Sequence, residues 1–294
     1  MAILAGDIGG TKTLLQLSEP NGKGFDVLFE KRYVSADYAS LTAMTQEYLK
    51  EAAGQVKCQI AAACFGIAGP VSGRTARTTN LPWTLHADEM ENTLGIPRVR
   101  LINDFQSVGY GIEALLPQDL VSLQAGTPMT QGTRVIIGAG TGLGQGLLVW
   151  QDDHYEVVAS EGGHTDFAPT DDLQVELMQY LRQRYRWATW ERAVSGRGLV
   201  NVFDFLVATN KGQPSSAMQS ALQGEDPAAV ISRFGIAGSD PVAQQAMNLF
   251  VRLYGAQAGN LALTGLATGG VYVAGGVAPK IIDKLPTALS CRAS

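Results

Sequence analysis

A glycine-rich stretch near the start of the chain has the composition of a phosphate-binding turn. Residues 6–13 read GDIGGTKT and lie between two short apolar runs, residues 3–5 and 14–17. Because the chain continues as a predicted strand, neither a Walker loop nor a dinucleotide-binding turn fits, since both lead into a helix. Bare glycine backbone in a hairpin can present N–H groups to anionic oxygens, and Asp7 could hold a hydrated magnesium ion beside them. An ordinary Gly-Gly hairpin capped by Asp7 explains this stretch equally well.

A second glycine-rich stretch favours the phosphate interpretation. Residues 138–146 read GAGTGLGQG, with glycine at every other position. In an extended chain this period places all five glycines on one side and leaves a strip of bare backbone that a ligand can approach. Close packing of the sheet against another element is the alternative. Thr141 and the turn around it repeat the Gly/Thr chemistry of residues 9–11, which suggests a duplicated scaffold that grips a polyphosphate from both sides.

The elements that must position these turns alternate between strand-like and helix-like patterns, as in an α/β protein. Apolar runs predict two similar strand meanders followed by helices, and the polar segment 71–82 is predicted to be a loop. A second half of the chain begins after the short strand 99–102. We therefore predict a small α/β domain over residues 1–104 and a large α/β domain over residues 105–294. The predicted strands are residues 3–5, 14–17, 27–33, 59–67, 99–102, 135–139, 146–150, 155–159 and 271–274.

Composition narrows the class of protein. A formal net charge of −5 gives no broad basic surface for nucleic acid or an anionic membrane. We find neither a signal-peptide pattern nor an apolar run of the roughly 18 residues that a membrane span needs. The 3 cysteines show no metal-ligand spacing, and Cys58 and Cys64 fit small buried residues in a reducing cytoplasm. The sequence thus predicts a cytoplasmic protein with no nucleic-acid or membrane partner.

Five motifs in order resemble the bacterial-type ATP-dependent glucokinases of the sugar kinase, actin and heat-shock ATPase superfamily. They are GDIGGTKT, INDF at 102–105, GAGTGLG at 138–144, EGGH at 161–164 and VAGGVAPK at 273–280. The resemblance implies a two-domain actin-like (ribonuclease H-like) α/β fold with mixed sheets, flanking helices and a cleft that holds ATP and glucose. It also implies magnesium as cofactor and a homodimer. The expected reaction transfers the ATP γ-phosphoryl group to the 6-hydroxyl of glucose.

The resemblance assigns the sugar chemistry to a small set of side chains. Transfer to an alcohol needs a carboxylate that orients the hydroxyl and accepts its proton, and Asp104 is the expected base. Asn103 is expected to bind a second sugar hydroxyl. Glu161, His164 and Glu191 are the expected further glucose contacts. Four of them have a plainer explanation: Asp104 as a helix N-cap, Glu161 as a solvated acid, His164 as a structural histidine and Glu191 as a helix-surface charge.

The nucleotide side is assigned to backbone-rich turns in three motifs. Asp7 is the expected magnesium ligand. We predict no structural zinc, because no cysteine lies near His164. Gly275 and Gly276, after the strand 271–274, resemble the adenosine-side turn of the superfamily. The full predicted nucleotide set is Gly6, Asp7, Ile8, Gly9, Gly10, Thr11, Lys12, Gly140, Thr141, Gly142, Gly275 and Gly276.

The C-terminal tail departs from the family pattern. Residues 286–294 read PTALSCRAS, where family members continue into a further segment and a last helix that returns to the N-terminal domain. Two other functions stay open: a kinase for another hexose or amino sugar, and a sugar-binding regulatory protein without catalysis, for which the unusual tail leaves room. A DNA-binding repressor is disfavoured because the core begins at residue 3, and a filament-forming ATPase would not need the sugar-site residues.

Overall fold

The computed structural model describes residues 1–22 and 24–285, so the predictions for the tail at 286–294 lie outside the described residues. The described chain divides into two compact units, Met1–Pro117 and a second unit from Gln118 onward. The predicted boundary after residue 104 falls at the start of a helix and stays a prediction. No helix among the described residues combines the length and apolarity needed to cross a bilayer.

The first unit is built on a mixed sheet. Its strands are β1 (Ala2–Ile8), β2 (Lys12–Asn21), β3 (Gly24–Val34), β4 (Ile60–Ile67), β5 (Val71–Ser72), β6 (Thr75–Arg77), β7 (Thr84–His86) and β8 (Val99–Asn103). Its helices are α1 (Leu41–Ala53), α2 (Ala87–Leu94) and α3 (Asp104–Gly111). Among the described residues, five strands form a sheet in the order β3-β2-β1-β4-β8. β1 pairs antiparallel with β2 and parallel with β4, so β1 is the central strand.

Alternating side chains give this sheet one core face. Leu4 and Ile8 of β1 are fully buried, as are Met44 and Tyr48 of α1. The two α1 residues are four positions apart and so share one face of the helix. Ser40 caps α1 by accepting a hydrogen bond from the N–H of Ala43. The capped helix therefore covers the β1 face opposite to Asp7, which stays exposed.

The predicted loop at 71–82 was wrong. The segment contains β5 and β6, which pair antiparallel with each other, and β6 pairs antiparallel with β7. Gly73 adopts φ +59° between β5 and β6, a conformation that glycine takes without strain. The strands are only two or three residues long, too short for an alternating apolar pattern to show in the sequence.

The second unit repeats the strand order of the first. Its strands are β9 (Arg134–Ala139), β10 (Leu143–Gln151), β11 (His154–Ser160) and β12 (Gly270–Ala274). Among the described residues, four strands form a sheet in the order β11-β10-β9-β12. β9 pairs antiparallel with β10 and parallel with β12, as β1 does with β2 and β4. Both sheets thus share the same meander followed by a parallel strand.

Helices fill the chain between β11 and β12. They are α4 (Asp172–Tyr185), α5 (Trp190–Ala193), α6 (Gly196–Ala208), α7 (Ser216–Leu222), α8 (Pro227–Ala237) and α9 (Pro241–Thr264). Val135 and Ile137 of β9 belong to the same buried cluster as Phe205 of α6 and Phe250 of α9. The core of this unit therefore lies between the sheet and the helices, and it anchors both ends of β9.

Two further expectations need correction. The glycines at 138–146 do not form one extended strip, because the chain turns at 140–142 and pairs Gly144 with Gly138. A turn forms here because the antiparallel ladder between β9 and β10 needs a tight reversal. Cys58 and Cys64 are half-buried rather than fully buried.

Candidate functional site

The turn between β1 and β2 is a tight, braced loop of bare backbone. The Gly9 N–H donates to the Lys12 carbonyl oxygen at 3.1 Å, and a Cβ atom at Gly9 would lie 2.8 Å from that oxygen. The Ser35 hydroxyl donates to the Gly9 carbonyl oxygen at 2.8 Å and lies 3.0 Å from the Thr13 hydroxyl. Glycine is therefore required at position 9 by the turn itself, whatever the turn binds.

The other predicted nucleotide residues of this unit have mixed environments. Thr11 and Lys12 are exposed at the turn, whereas the Ile8 side chain is fully buried, so only its backbone could contact a ligand. A Cβ atom at Gly10 would lie 2.7 Å from the Cβ atom of Asn80. A Cβ atom at Gly6 would lie 2.5 Å from the Phe65 ring, so packing explains this glycine.

Asp7 and Asp104 lie on either side of the same glycine. Gly66 of β4 is the parallel-strand partner of Asp7. A Cβ atom at Gly66 would lie 2.8 Å from the Ser107 hydroxyl oxygen and 3.7 Å from the Asp104 Cα atom. The missing side chain thus allows α3 to pack closely on β4, which brings its first residue to the sheet beside Asp7. Both predicted carboxylates of the first unit occupy one region.

Asn103 and Asp104 lie at the start of α3 in different positions. Asn103, not Asp104, occupies the N-cap position of α3, and its amide oxygen accepts from the N–H groups of Phe105 at 2.9 Å and Gln106 at 3.3 Å. Asp104 is the first helical residue and is half-buried. The Asp104 carboxylate also accepts from the Phe105 N–H, at 2.8 Å, so this acid contributes to the start of α3 as well. The Asn103 amide nitrogen donates to the Gly69 carbonyl oxygen at 3.4 Å, a long hydrogen bond.

In the second unit, residues 140–142 form the corresponding turn. The Gly140 N–H donates to the Gly142 carbonyl oxygen at 2.8 Å, and the Gly196 N–H donates to the Gly140 carbonyl oxygen at 2.8 Å. Gly196 is the first residue of α6, whose N-terminal end carries partial positive charge that favours nearby anions. A Cβ atom at Gly140 would meet nothing within 4 Å, and Thr141 is exposed. The turn therefore presents open backbone.

Glu191 reaches this turn from α5. Its Oε2 atom accepts a hydrogen bond from the Leu143 N–H at 3.1 Å, and a Cβ atom at Gly142 would lie 2.5 Å from the same oxygen. The Ser195 hydroxyl donates to the Glu191 carbonyl oxygen at 2.8 Å and also caps α6. Glu191 is thus held against the turn rather than extended into solvent, so the helix-surface interpretation of this charge is wrong.

Glu161 and His164 flank a short 3₁₀ turn after β11. The His164 Nε2 atom lies 3.8 Å from the Glu161 Oε2 atom, and both side chains are largely exposed, at 61% and 82%. A Cβ atom at Gly163 would overlap the Leu143 carbonyl oxygen. Gly163 and Glu191 therefore both contact the backbone of Leu143, which brings the predicted sugar-site residues of this unit to the start of β10.

The predicted adenosine-side turn lies at the end of β12. Gly275 has φ +82°, and a Cβ atom there would lie 2.5 Å from the Ala139 carbonyl oxygen. The Tyr254 hydroxyl accepts from the Ala139 N–H at 2.9 Å and donates to the Ala274 carbonyl oxygen at 3.3 Å. A Cβ atom at Gly276 would meet nothing within 4 Å. This turn therefore adjoins the base of the 140–142 turn and leaves its second glycine open.

Sequence reasoning missed the residues that brace these turns. Ser35 and Asn80 contact the 9–10 turn, and Tyr254 ties β9 to β12. Their positions in the sequence are far from the glycines they contact, and no spacing rule connects them. Ser195 could have been found from the sequence, because serine is a preferred N-cap residue. In the structure its hydroxyl accepts from the Gly198 N–H at 2.9 Å.

Known proteins resemble this chain over most of its length. The Glucokinase family model matches residues 4–289. The glucokinase of Nostoc sp. (strain PCC 7120) is 45% identical, and the match covers 95% of this chain and 85% of that protein. The crystal structure of glucokinase from an Antarctic psychrotroph superimposes with a TM-score of 0.84 at 28% identity, covering 99% of this chain and 87% of that one.

A more distant structure supports the fold alone. The ROK family glucokinase from Streptomyces griseus, solved in complex with glucose and AMPPNP, matches with a TM-score of 0.62 at 22% identity and covers 98% of this chain and 88% of that one. The predicted actin-like α/β fold class is confirmed by these structural neighbours. Because the family model spans most of the sequence and the curated relative covers it at 45% identity, the chain belongs to the glucokinase family of kinases.

Proposed function

We propose that this chain transfers the γ-phosphoryl group of ATP to the 6-hydroxyl of D-glucose. The observation that carries the proposal is the convergence at Leu143, where Glu191 and the 161–164 loop meet beside the open 140–142 turn. Carboxylates and an imidazole suit the hydroxyls of a hexose, and bare backbone beside them suits a polyphosphate. One end of β10 thus carries both kinds of chemistry.

Asp104 is the proposed base. Its carboxylate accepts the proton of the 6-hydroxyl as that oxygen forms a bond to the γ-phosphorus, and the bond from the γ-phosphorus to the bridging oxygen breaks. The electron pair of the broken bond stays on ADP, and the proton stays on Asp104 until it passes to solvent. Support comes from the position of Asp104 at the carboxyl end of β8, where parallel sheets hold their ligands.

The remaining side chains bind and orient the sugar. Glu161 and Glu191 accept hydrogen bonds from sugar hydroxyls, His164 adds a ring nitrogen, and Asn103 donates through its amide nitrogen. The Streptomyces griseus structure was solved with glucose and AMPPNP, so a protein of this fold binds both ligand types. Fixing the hydroxyl in line with the γ-phosphorus supplies much of the rate enhancement in such reactions.

Asp7 is the proposed magnesium ligand. Mg²⁺ takes one or two carboxylates together with waters and substrate phosphates. Asp7 is an exposed carboxylate near the end of the central strand, two residues before the braced turn, and fits that donor set. When bound, the ion neutralises charge on the phosphate oxygens. The glycine turns at 9–10, 140–142 and 275–276 are the proposed backbone contacts for the nucleotide.

We propose further that the protein acts in the cytoplasm as a homodimer and supplies glucose 6-phosphate to glycolysis. The net charge of −5 and the lack of any cysteine pairing pattern in the sequence support the cytoplasmic location, which is the first of these. The family resemblance supports the second.

An acceptor comparison tests the proposed function. ADP release with Mg-ATP is measured for glucose, mannose, fructose and N-acetylglucosamine at equal concentrations. We expect the highest kcat/KM with glucose. A higher kcat/KM with another sugar would identify a kinase for that hexose or amino sugar, and binding of glucose without ADP release would identify a sugar-binding regulatory protein.

A further inference from the structure

Gln145 is a buried polar residue next to the predicted sugar site. It lies in β10, where it pairs with Ile137 on one side and Ser160 on the other. Its side chain is on the same strand face as Leu143 and is only 3% exposed. Within residues 1–22 and 24–285, its amide nitrogen has no hydrogen-bond partner. Burying an amide donor without an acceptor is unfavourable, so this residue needs an explanation.

Gln145 contacts the backbone of the 161–164 loop. A Cβ atom at Gly162 would overlap the Gln145 amide oxygen and lie 3.1 Å from its Cδ atom. The Gly162 N–H in turn donates to the Ser160 hydroxyl at 3.0 Å. Gly162 directly follows Glu161. The Gln145 amide therefore packs against the backbone next to Glu161.

Another buried glutamine of the same unit shows the contrast. Gln174 is also 3% exposed, but its amide oxygen accepts from the Thr170 N–H at 3.0 Å and its amide nitrogen donates to Asp171 at 3.1 Å. Gln174 thus has the partners expected of a structural buried amide. The Gln145 amide nitrogen lacks a partner at the same degree of burial, while the oxygen of the same amide lies against Gly162 of the 161–164 loop.

We infer that Gln145 is a positioning residue for glucose binding. This inference rests on the proposed function of the 161–164 loop. When the sugar is bound, the Gln145 amide nitrogen donates to a main-chain carbonyl oxygen of that loop, which fixes the loop with Glu161 and His164 toward the sugar. Because the donor is satisfied only in that arrangement, it favours the sugar-bound arrangement over the free one. Gln145 therefore raises the affinity for glucose without touching the reacting atoms.

The test replaces the amide by an apolar group of similar length. Gln145→Met removes the unpaired donor, so we expect a melting temperature equal to or above that of the wild type. We expect the KM for glucose to rise about five- to tenfold, the loss of roughly one neutral hydrogen bond. The kcat and the KM for ATP should stay within about twofold of the wild-type values, because the contact of Gln145 is with Gly162 of the proposed sugar loop.

Gln174→Met is the matched control. It removes an amide whose hydrogen bonds are already made, so we expect a lower melting temperature and an unchanged KM for glucose. A Gln145→Met protein that is folded and has a wild-type KM for glucose would overturn the inference. A lower melting temperature with no change in KM would make Gln145 a structural residue like Gln174, with the same consequence.

A second pair of variants covers the case in which Gln145→Met fails to fold. Gly162→Ala places a methyl group where the Gln145 amide lies, so the KM for glucose should rise. Combining it with Gln145→Ala makes room, and we expect the double variant to recover part of that loss. Additive effects would contradict the inference. If His164→Ala leaves the KM for glucose unchanged, the proposed function of the loop fails instead, independently of Gln145.

Discussion

The Glu191 Oε2 atom accepts a hydrogen bond from the Leu143 N–H at 3.1 Å, across 48 residues of sequence. This contact joins the short helix α5 to the first residue of β10, directly after the 140–142 turn. The carboxylate is therefore fixed relative to the backbone that is proposed to meet the nucleotide. The Oε2 atom of the Glu191 carboxylate makes this hydrogen bond, and we propose that the Oε1 atom accepts from a sugar hydroxyl.

Removing the charge of Glu191 should weaken sugar binding. In Glu191→Gln the amide oxygen can still accept from the Leu143 N–H, but an NH2 group, which only donates, replaces the second oxygen. We expect the KM for glucose to rise about 10- to 100-fold, as for loss of a charged hydrogen bond, with the KM for ATP little changed. Steady-state kinetics with each substrate varied in turn measures both. The control is Glu176→Gln on α4, which breaks an ion pair between Glu176 and Lys211 and should have near wild-type kinetics.

Replacing Asp104 should separate binding from turnover. We expect Asp104→Asn to keep glucose affinity within a few fold and to lower kcat by about 100- to 10,000-fold, because the amide cannot accept the hydroxyl proton. Isothermal titration with glucose and a coupled ADP assay give the two quantities. Asp172→Asn is matched, since Asp172 is likewise the first residue of a helix, α4, and should keep wild-type kcat. Near-normal turnover of Asp104→Asn would remove Asp104 from the mechanism.

The two glycines of the 140–142 turn should respond differently to alanine. A Cβ atom at Gly142 would lie 2.5 Å from the Glu191 Oε2 atom, whereas one at Gly140 would meet nothing within 4 Å. We therefore expect Gly142→Ala to displace Glu191 and raise the KM for glucose. Gly140→Ala should leave the melting temperature unchanged and raise mainly the KM for ATP, because its methyl group occupies the open side. Equal effects of both variants on both substrates would contradict this division.

Alanine at positions 275 and 276 gives a comparable pair. Gly275 has φ +82° and lies against the Ala139 carbonyl oxygen, so we expect Gly275→Ala to lower the melting temperature by several degrees. Gly276→Ala should keep the wild-type melting temperature and raise the KM for ATP, since its Cβ atom would meet no protein atom within 4 Å. Thermal unfolding monitored by circular dichroism, followed by ATP titration of the kinetics, checks both. A wild-type KM for ATP in Gly276→Ala would argue against this turn as a nucleotide contact.

Asp240 should stabilise the second unit in a pH-dependent way. Its fully buried carboxylate caps α9 by accepting from the Ala243 N–H at 2.9 Å and also accepts from the Ser215 N–H at 2.7 Å. Burial raises its pKa, but these backbone hydrogen bonds outweigh burial, so the pKa lies below the ordinary value of 3.8. A carboxylate with a lowered pKa stabilises the folded state at pH values above its ordinary pKa. That contribution is lost as the pH falls through the lowered pKa of the folded state.

Asp240→Asn tests this contribution. We expect the free energy of unfolding to fall by about 2 kcal/mol at pH 7. The asparagine amide has no charge, and its NH2 group cannot accept from either the Ser215 N–H or the Ala243 N–H. Urea denaturation at pH 7 and at lower pH measures the difference from the wild type. The difference should shrink below about pH 4. A difference that grows with acidity would show that the carboxylate does not act through its charge.

Part of the fold and of the site could be predicted because local sequence patterns matched the tertiary structure. The strand meanders before α1 and α4 came from apolar alternation, and the turns at 9–10 and 140–142 from Gly/Thr composition. The start of α6 is not evident from the sequence, because Gly196 and Gly198 are poor helix formers. A Cβ atom at Gly198 would lie 2.6 Å from the Ala193 carbonyl carbon, so close packing on α5 requires glycine there. Only the folded chain shows that requirement.

The contacts that hold the site were also beyond the sequence. The Ser35 brace of the 9–10 turn and the Gln145 contact with Gly162 join residues that no periodicity connects. The sequence likewise did not show that Asn103, and not Asp104, is the N-cap of α3. Residue types predicted the chemistry, whereas only long-range contacts show how the side chains proposed for it are held.

The most direct measurement is the product balance of the wild-type protein with Mg-ATP and ¹³C-labelled glucose, followed by ³¹P and ¹³C nuclear magnetic resonance. We predict one glucose 6-phosphate for each ADP, with the phosphate on O6. Formation of ADP without a sugar phosphate, or a phosphate on another hydroxyl, would contradict the proposed transfer from ATP to the 6-hydroxyl of glucose.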